Sequence, residues 1–164
     1  MRYLALGAID GILTASTLSA TLLLRGATLS IDLILSISIV VATVNALTVF
    51  VAELSHQLHE IEEISYKISL REGSRWTLLH TRLLFATLRS TLGNFVASFA
   101  GAFAVLIPSY LYPYAFLPAV VVSIAVTSLV LAGGLGRRFL EFSLLIGVAV
   151  AVGLAIGLTF PIIA

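Results

Sequence analysis

One carboxylate stands inside an otherwise uncharged run near the start of the chain. Between Tyr3 and Leu24 the only ionisable acid or base is Asp10. A carboxylate in apolar surroundings is costly unless it faces water, a cavity or a partner, so it marks a functional position by default. Thr14, Thr17 and Thr21 follow it at i+4, i+7 and i+11, which puts four oxygen-bearing side chains on one helical face. A stripe of this kind, headed by a carboxylate, can line an aqueous or cation-conducting path. Threonines bonded to their own backbone, with Asp10 acting as a cap near an interface, would leave the same pattern. The sequence holds both readings open.

A second group with chemistry lies at Glu53, His56, His59, Glu60, Glu62 and Glu63. Leu54, Leu58, Ile61, Ile64 and Ile68 form an apolar stripe at helical spacing, and Glu53, His56, Glu60 and Glu63 fall together on the other side with His59 flanking them. Carboxylates mixed with imidazoles suit Fe²⁺, Mn²⁺ or Zn²⁺, and pairs at i, i+3 and i+4 can share one ion. The competing reading is a solvated face of an amphipathic helix. His80, further along, is a candidate for completing such a site.

Other polar positions are sparser. Ser38 and Asn45 lie seven residues apart on one face, and Asn45 and Asn94 each need a hydrogen-bonding partner if buried. Gly7 and Gly11 form a GxxxG pair, as do Gly153 and Gly157. Such pairs allow helices to approach closely, within one chain or between two copies.

The elements that must position these residues are set by composition. Hydrophobic residues make up 60% of the 164 and charged residues 10%, against roughly 25% charged in an ordinary soluble domain. Mean hydropathy is +1.14. No charge occurs from Leu33 to Ala52, or from Ser90 to Gly136. About 20 apolar residues cross a bilayer as a helix, so these are membrane spans, and the second stretch is long enough for two. The expected fold is an all-α integral membrane protein, a single membrane domain over 1–164. Five transmembrane helices are expected at about 3–24, 31–52, 90–112, 115–135 and 139–163.

The second span has no breaker at its end. It should continue as a helix into a short cytoplasmic helical extension over about 53–89, with Gly73 as a stop and Trp76 to Arg89 as a further amphipathic stretch. Pro108, Pro113 and Pro118, with Tyr110, Tyr112 and Tyr114 among them, form the turn after the third span, and the tyrosines suit an interfacial belt. Gly136-Arg137-Arg138 makes the next tight turn.

Charge orients the chain. With the region after span two in the cytoplasm, that side holds Arg2, Lys67, Arg71, Arg75, Arg82, Arg89, Arg137 and Arg138, and the other side only Arg25. The positive-inside rule then places the N-terminus in the cytoplasm and the C-terminus outside. The N-terminus lacks the charged region and cleavage site of a signal peptide, so the first run is expected to be retained. There are no cysteines, hence no disulfide and no thiolate metal site. A net charge of +1 points to no nucleic-acid partner. No nucleophile, acid and base occur together in the spans, so an enzyme is not expected.

In this order the features resemble the vacuolar iron transporter family. Gly7-Ala-Ile-Asp10-Gly11 resembles that family's first-helix signature, and Phe50-Val-Ala-Glu53 leading into a polar helix is similar to its second-helix exit. Leu106-Ile107-Pro108 followed by Tyr110 resembles the end of its third helix, and the glycine-rich last span after a basic turn is similar too. The resemblance covers nearly the whole chain.

It implies a five-helix homodimer exporting Fe²⁺ or Mn²⁺ from the cytoplasm, in exchange for protons. Asp10 would be a pathway carboxylate, and Glu53 with the following helix a cytoplasmic metal collector. Where plant members carry a glutamate and a methionine in helix two, this chain has Ile37 or Ser38 and Asn45. Its only methionine is Met1, so thioether ligation is excluded. The expected function is divalent metal transport, with Asp10, Thr14, Thr17, Thr21 and Asn45 in the path, and Glu53, His56, His59, Glu60 and Glu63 as metal ligands. The metal is cargo or a collected ligand, no permanently bound cofactor is expected, and the setting is a prokaryotic cell membrane. The alternatives are a membrane-anchored metal-binding or sensing protein that does not transport, and a transporter of another small solute.

Overall fold

In the computed structural model the described residues are 2–24, 29–69 and 78–159, with side chains over 3–22, 29–63, 81–112 and 114–159. They form five α-helices: α1 (Arg2–Leu24), α2 (Ile31–Ser69), α3 (Leu78–Leu111), α4 (Phe116–Ala132) and α5 (Arg137–Thr159). A single 3-10 turn, Pro113–Ala115, precedes α4. Four of the five, all but α4, are long and apolar enough to cross a membrane. Large apolar side chains stay exposed along them, including Val40, Val44 and Val51 on α2 and Leu140, Leu144, Val148, Val152 and Ile156 on α5. At four-residue spacing the α5 set makes a continuous outward stripe, the kind of surface that marks contact with a membrane or another protein.

The element boundaries follow local chemistry. Ser30 accepts the Leu33 N–H at 3.2 Å and so caps α2. With no breaker after Ala52, α2 runs on without interruption to Ser69, as expected. The third helix differs from expectation. The stretch that leads into the span at residue 90 continues into it as one helix, and the departure is Pro108, which lies inside that helix instead of in the turn. Proline removes one backbone donor, yet the Tyr112 N–H still reaches the Pro108 carbonyl at 3.0 Å, so the helix lasts one more turn. Pro118 sits in the first turn of α4, where its missing N–H has no intrahelical partner to lose.

α4 is shorter than the expected 115–135. Gly133 takes a left-handed φ of 69° and its N–H closes on the Leu129 carbonyl at 3.0 Å, and Gly134 follows at φ 155°. Only glycine enters this region without strain, so the helix stops there. α5 begins at Arg137, two residues before the expected start. Arg25, Gly73 and the residues after Thr159 lie outside the described residues, as do the side chains of Lys67, Arg71, Arg75, Trp76 and His80.

α1 packs against all four other helices, most extensively against α3. The register shows direction. Gly7 meets Asn94 and Gly11 meets Ser98, so α1 and α3 run parallel; Gly153 meets Thr17 and Gly157 meets Thr21, so α5 is parallel to them. Asn45 bonds Ser98 and Gln57 bonds Thr87, so α2 runs the opposite way. The start of α1, the stretch of α2 beyond Glu53, the start of α3 and Arg137–Arg138 therefore share one end of the bundle. Beyond Glu53 and before Arg89, α2 and α3 continue side by side as a two-helix stalk.

Candidate functional site

Asp10 is held on the helix at the centre of the bundle. Its neighbours Gly7 and Gly11 are the points of closest approach between α1 and α3: a methyl group at either would overlap the carbonyl oxygen of Asn94 or Ser98. From the other helix, a Cβ at Gly101 would come within 2.6 Å of the Ala8 carbonyl. The first GxxxG pair is thus used within the chain. Asp10 itself turns to the side of α1 away from this contact and is half-buried. Seven residues before it on the same face, Tyr3 donates its hydroxyl to Glu53 on α2. Among the described residues the Asp10 carboxylate has no hydrogen-bond or ion-pair partner.

The threonine stripe divides. The second GxxxG pair, Gly153 and Gly157, receives Thr17 and Thr21: a Cβ at Gly153 would lie 2.6 Å from the Thr17 hydroxyl, and one at Gly157 2.9 Å from that of Thr21. Thr17 donates to the Leu13 carbonyl at 2.9 Å. Thr21 donates to Thr17 O at 2.9 Å and to Gly157 O on α5 at 3.1 Å. These two hydroxyls are committed to backbone and to packing against α5, whereas Asp10 and Thr14 lie lower on the same face and are half-buried.

A larger polar group joins α1, α2 and α3. Glu53 accepts from the Tyr3 hydroxyl and from the Gln57 side-chain amide, and Gln57 in turn accepts from Thr87 at 3.0 Å. Asn94, fully buried, donates to the Tyr3 carbonyl at 3.1 Å. Asn45 donates to the Ser98 hydroxyl at 2.8 Å. A sequence signal for this group exists that the sequence reading left unused. Thr87, Thr91, Asn94 and Ser98 recur at i, i+4, i+7 and i+11, the spacing that singles out Asp10 and its threonines.

Glu53 is therefore turned inward, toward Tyr3, Gln57 and the foot of the bundle. His56, His59, Glu60, Glu62 and Glu63 point away from it and are exposed. His56 with Glu60 and His59 with Glu63 are i, i+4 pairs, each able to offer two donors to one ion. Among the described residues no three His, Asp or Glu side chains come together tightly enough to hold a metal ion, and the side chain of His80 is outside them. A complete ligand set would need a donor from elsewhere, such as a second copy.

Compared with protein-family models, curated proteins and solved structures, the chain matches none.

Proposed function

We propose that this chain is an integral membrane protein that crosses the bilayer five times and carries a divalent cation, Fe²⁺ or Mn²⁺, out of the cytoplasm. The observation that carries the proposal is Asp10: a half-buried carboxylate with no protein partner among the described residues, on the central helix of an apolar bundle. Such a group is costly inside a membrane span, and binding a cation or a proton offsets that cost. Two copies would place two carboxylates at one site, which suits a doubly charged ion. The exposed His56, His59, Glu60 and Glu63 then act as a collector at the cytoplasmic end, and proton exchange follows as each carboxylate loads and empties.

The 17 residues of α4 sit at the short end of the range of about 17–25 that spans hydrocarbon, so α4 serves as the fourth crossing. That count keeps every basic residue except Arg25 on the cytoplasmic side, with the N-terminus inside and the C-terminus outside. The second reading is a metal-binding membrane anchor that does not transport. The closure of Thr17 and Thr21 against α5 favours it.

Flux decides between the two. Purified protein in proteoliposomes loaded with a metal-sensing dye is expected to pass Fe²⁺ or Mn²⁺, and Asp10→Asn to lose most of that flux while keeping the thermal midpoint of the parent. Flux unchanged in Asp10→Asn removes Asp10 from the path, and no flux in the parent leaves the anchor reading.

A further inference from the structure

Small residues leave a groove along the outside of the bundle between α1, α3 and α4. Ala115, Ala119, Ser123 and Thr127 stand four residues apart along the start and length of α4, and Ala100 and Ala104 line the groove from α3. Side chains this short do not fill the space between helix axes about 8–10 Å apart, and a groove of about 520 Å³ remains. Ile12 of α1, almost wholly buried, forms part of its floor, and the exposed Val122 and Val126 stand at its rim. The groove therefore opens sideways, toward whatever surrounds the bundle. Among the described residues no charged side chain lines it.

Two polar groups interrupt the apolar lining. Ser123 and Thr127 are 8% and 9% exposed, and among the described residues neither hydroxyl has a hydrogen-bond partner. Hydroxyls in an apolar helix can return to the carbonyl four residues back, as those of Thr43, Thr48 and Ser109 do at 2.7, 2.9 and 2.6 Å. Ser123 and Thr127 do not, and they are neighbours on the one face of α4 that lines the groove. Two donors offered to an apolar cavity call for an acceptor. One carbonyl oxygen has two lone pairs and can accept from both. Its molecule has to be neutral, because a charge in this lining would lie buried without a partner.

Depth narrows the choice. α4 runs from Phe116 to Ala132, so Ser123 stands beside its midpoint and Thr127 one turn nearer Gly133. The ester carbonyls of a phospholipid lie roughly 15 Å from the middle of a bilayer, at the edge of the hydrocarbon. The acceptor must belong instead to a molecule dissolved in the hydrocarbon itself. The volume of the groove falls within the range of about 300–1,000 Å³ of small-molecule sites, which are mostly apolar with a few placed polar groups.

We propose that this groove binds a neutral, lipid-soluble carbonyl compound of the quinone class, its tail along Ala100, Ala104 and Ala119 and one carbonyl oxygen accepting from Ser123 and Thr127. The site rests on the bilayer crossing of α4 proposed above and not on what the protein carries.

The test is methyl NMR of the whole protein in phosphatidylcholine nanodiscs. Decylubiquinone should shift the Ala104 and Ala119 methyl signals saturably and leave those of Val152, on the exposed face of α5, in place. Ser123→Ala/Thr127→Val removes both donors and keeps the groove, and should weaken that binding about tenfold, as the loss of two hydrogen bonds implies. Decylbenzene, with a ring and a tail but no carbonyl, should bind parent and double variant alike, and only as weakly as the variant binds the quinone. Equal affinity of parent and variant for decylubiquinone, or of the parent for both probes, makes the groove a bed for acyl chains and overturns the proposal. Signals that move with the protein-to-lipid ratio and not with quinone assign the groove to a second copy, and overturn it too. Quinone binding by protein that passes no metal leaves this site standing, whereas metal flux without quinone binding overturns this site alone.

Discussion

At the scale of single residues, the glycines decide which helices can touch. Gly11 lies against the Ser98 carbonyl so closely that a methyl group has no room, whereas a Cβ added at Gly147 on α5 would meet nothing within 4 Å. Gly11→Ala should force α1 and α3 apart and cost about 1–3 kcal/mol, the usual range for overpacking. Gly147→Ala should be neutral or slightly stabilising, since alanine is the better helix former. Thermal unfolding in detergent checks both, and equal midpoints for the two variants would contradict the close α1–α3 contact. Asn45 belongs to the same scale. Its bond to Ser98 is of a kind worth about 0.6 kcal/mol on average between apolar helices, so it holds register more than it holds the fold.

At the scale of elements, α2 does two jobs along one continuous length. Its first half buries Ile34, Ser38, Val41, Ala42, Ala46 and Val49, and its second half leaves the bundle as one strand of the stalk. Exposed hydroxyls on the apolar half, Thr43 and Thr48, donate back to the carbonyls of Ile39 and Val44 at 2.7 and 2.9 Å, which satisfies them without water. Past Glu53 the polar face carries His56, His59, Glu60 and Glu63. If this face collects metal, isothermal titration of the intact protein with Mn²⁺ should show binding that falls at least tenfold in Glu60→Ala/Glu63→Ala. Wild-type-like binding in that double variant would assign the ion elsewhere, and the absence of binding in both would make the face a solvated one.

At the scale of the whole molecule, the parallel run of α1, α3 and α5 against α2 gathers one kind of chemistry at one end. The stalk, Arg82, Arg89, Arg137 and Arg138 lie there, and Tyr110, Tyr112 and Tyr114 lie at the other. Because the chain has no cysteine, sidedness can be read with single introduced thiols. In cells, Glu62→Cys should resist a membrane-impermeant maleimide until the membrane is opened, and Tyr114→Cys, at a position 95% exposed, should react from outside. The reverse pattern would invert the orientation, and reaction of both from one side would break the five-crossing count.

What the residues determined alone is what adds up along one helix. Apolar runs, the absence of a breaker after Ala52 and the one-sided basic residues are sums over neighbours in sequence, and transfer from water to an apolar phase is such a sum. The helical face shared by Asp10 and its threonines was legible for the same reason. Pro108 misled because a proline near the end of a helix costs one bond, and the last turn closed past it. Which face meets which helix belongs to pairs of helices, and a single helix carries no record of its partner. Gly7 and Gly11 fit a second copy as well as they fit α3. Thr17 and Thr21 suit a water-lined path as well as the glycines of α5, and Glu53 suits an ion as well as Tyr3 and Gln57. Only packing chose among these, because contact at van der Waals distance is decided by the shapes of both surfaces together. The choice that leaves Asp10 without a partner among the described residues, on the helix that packs against all the others, is the one on which the proposed function stands.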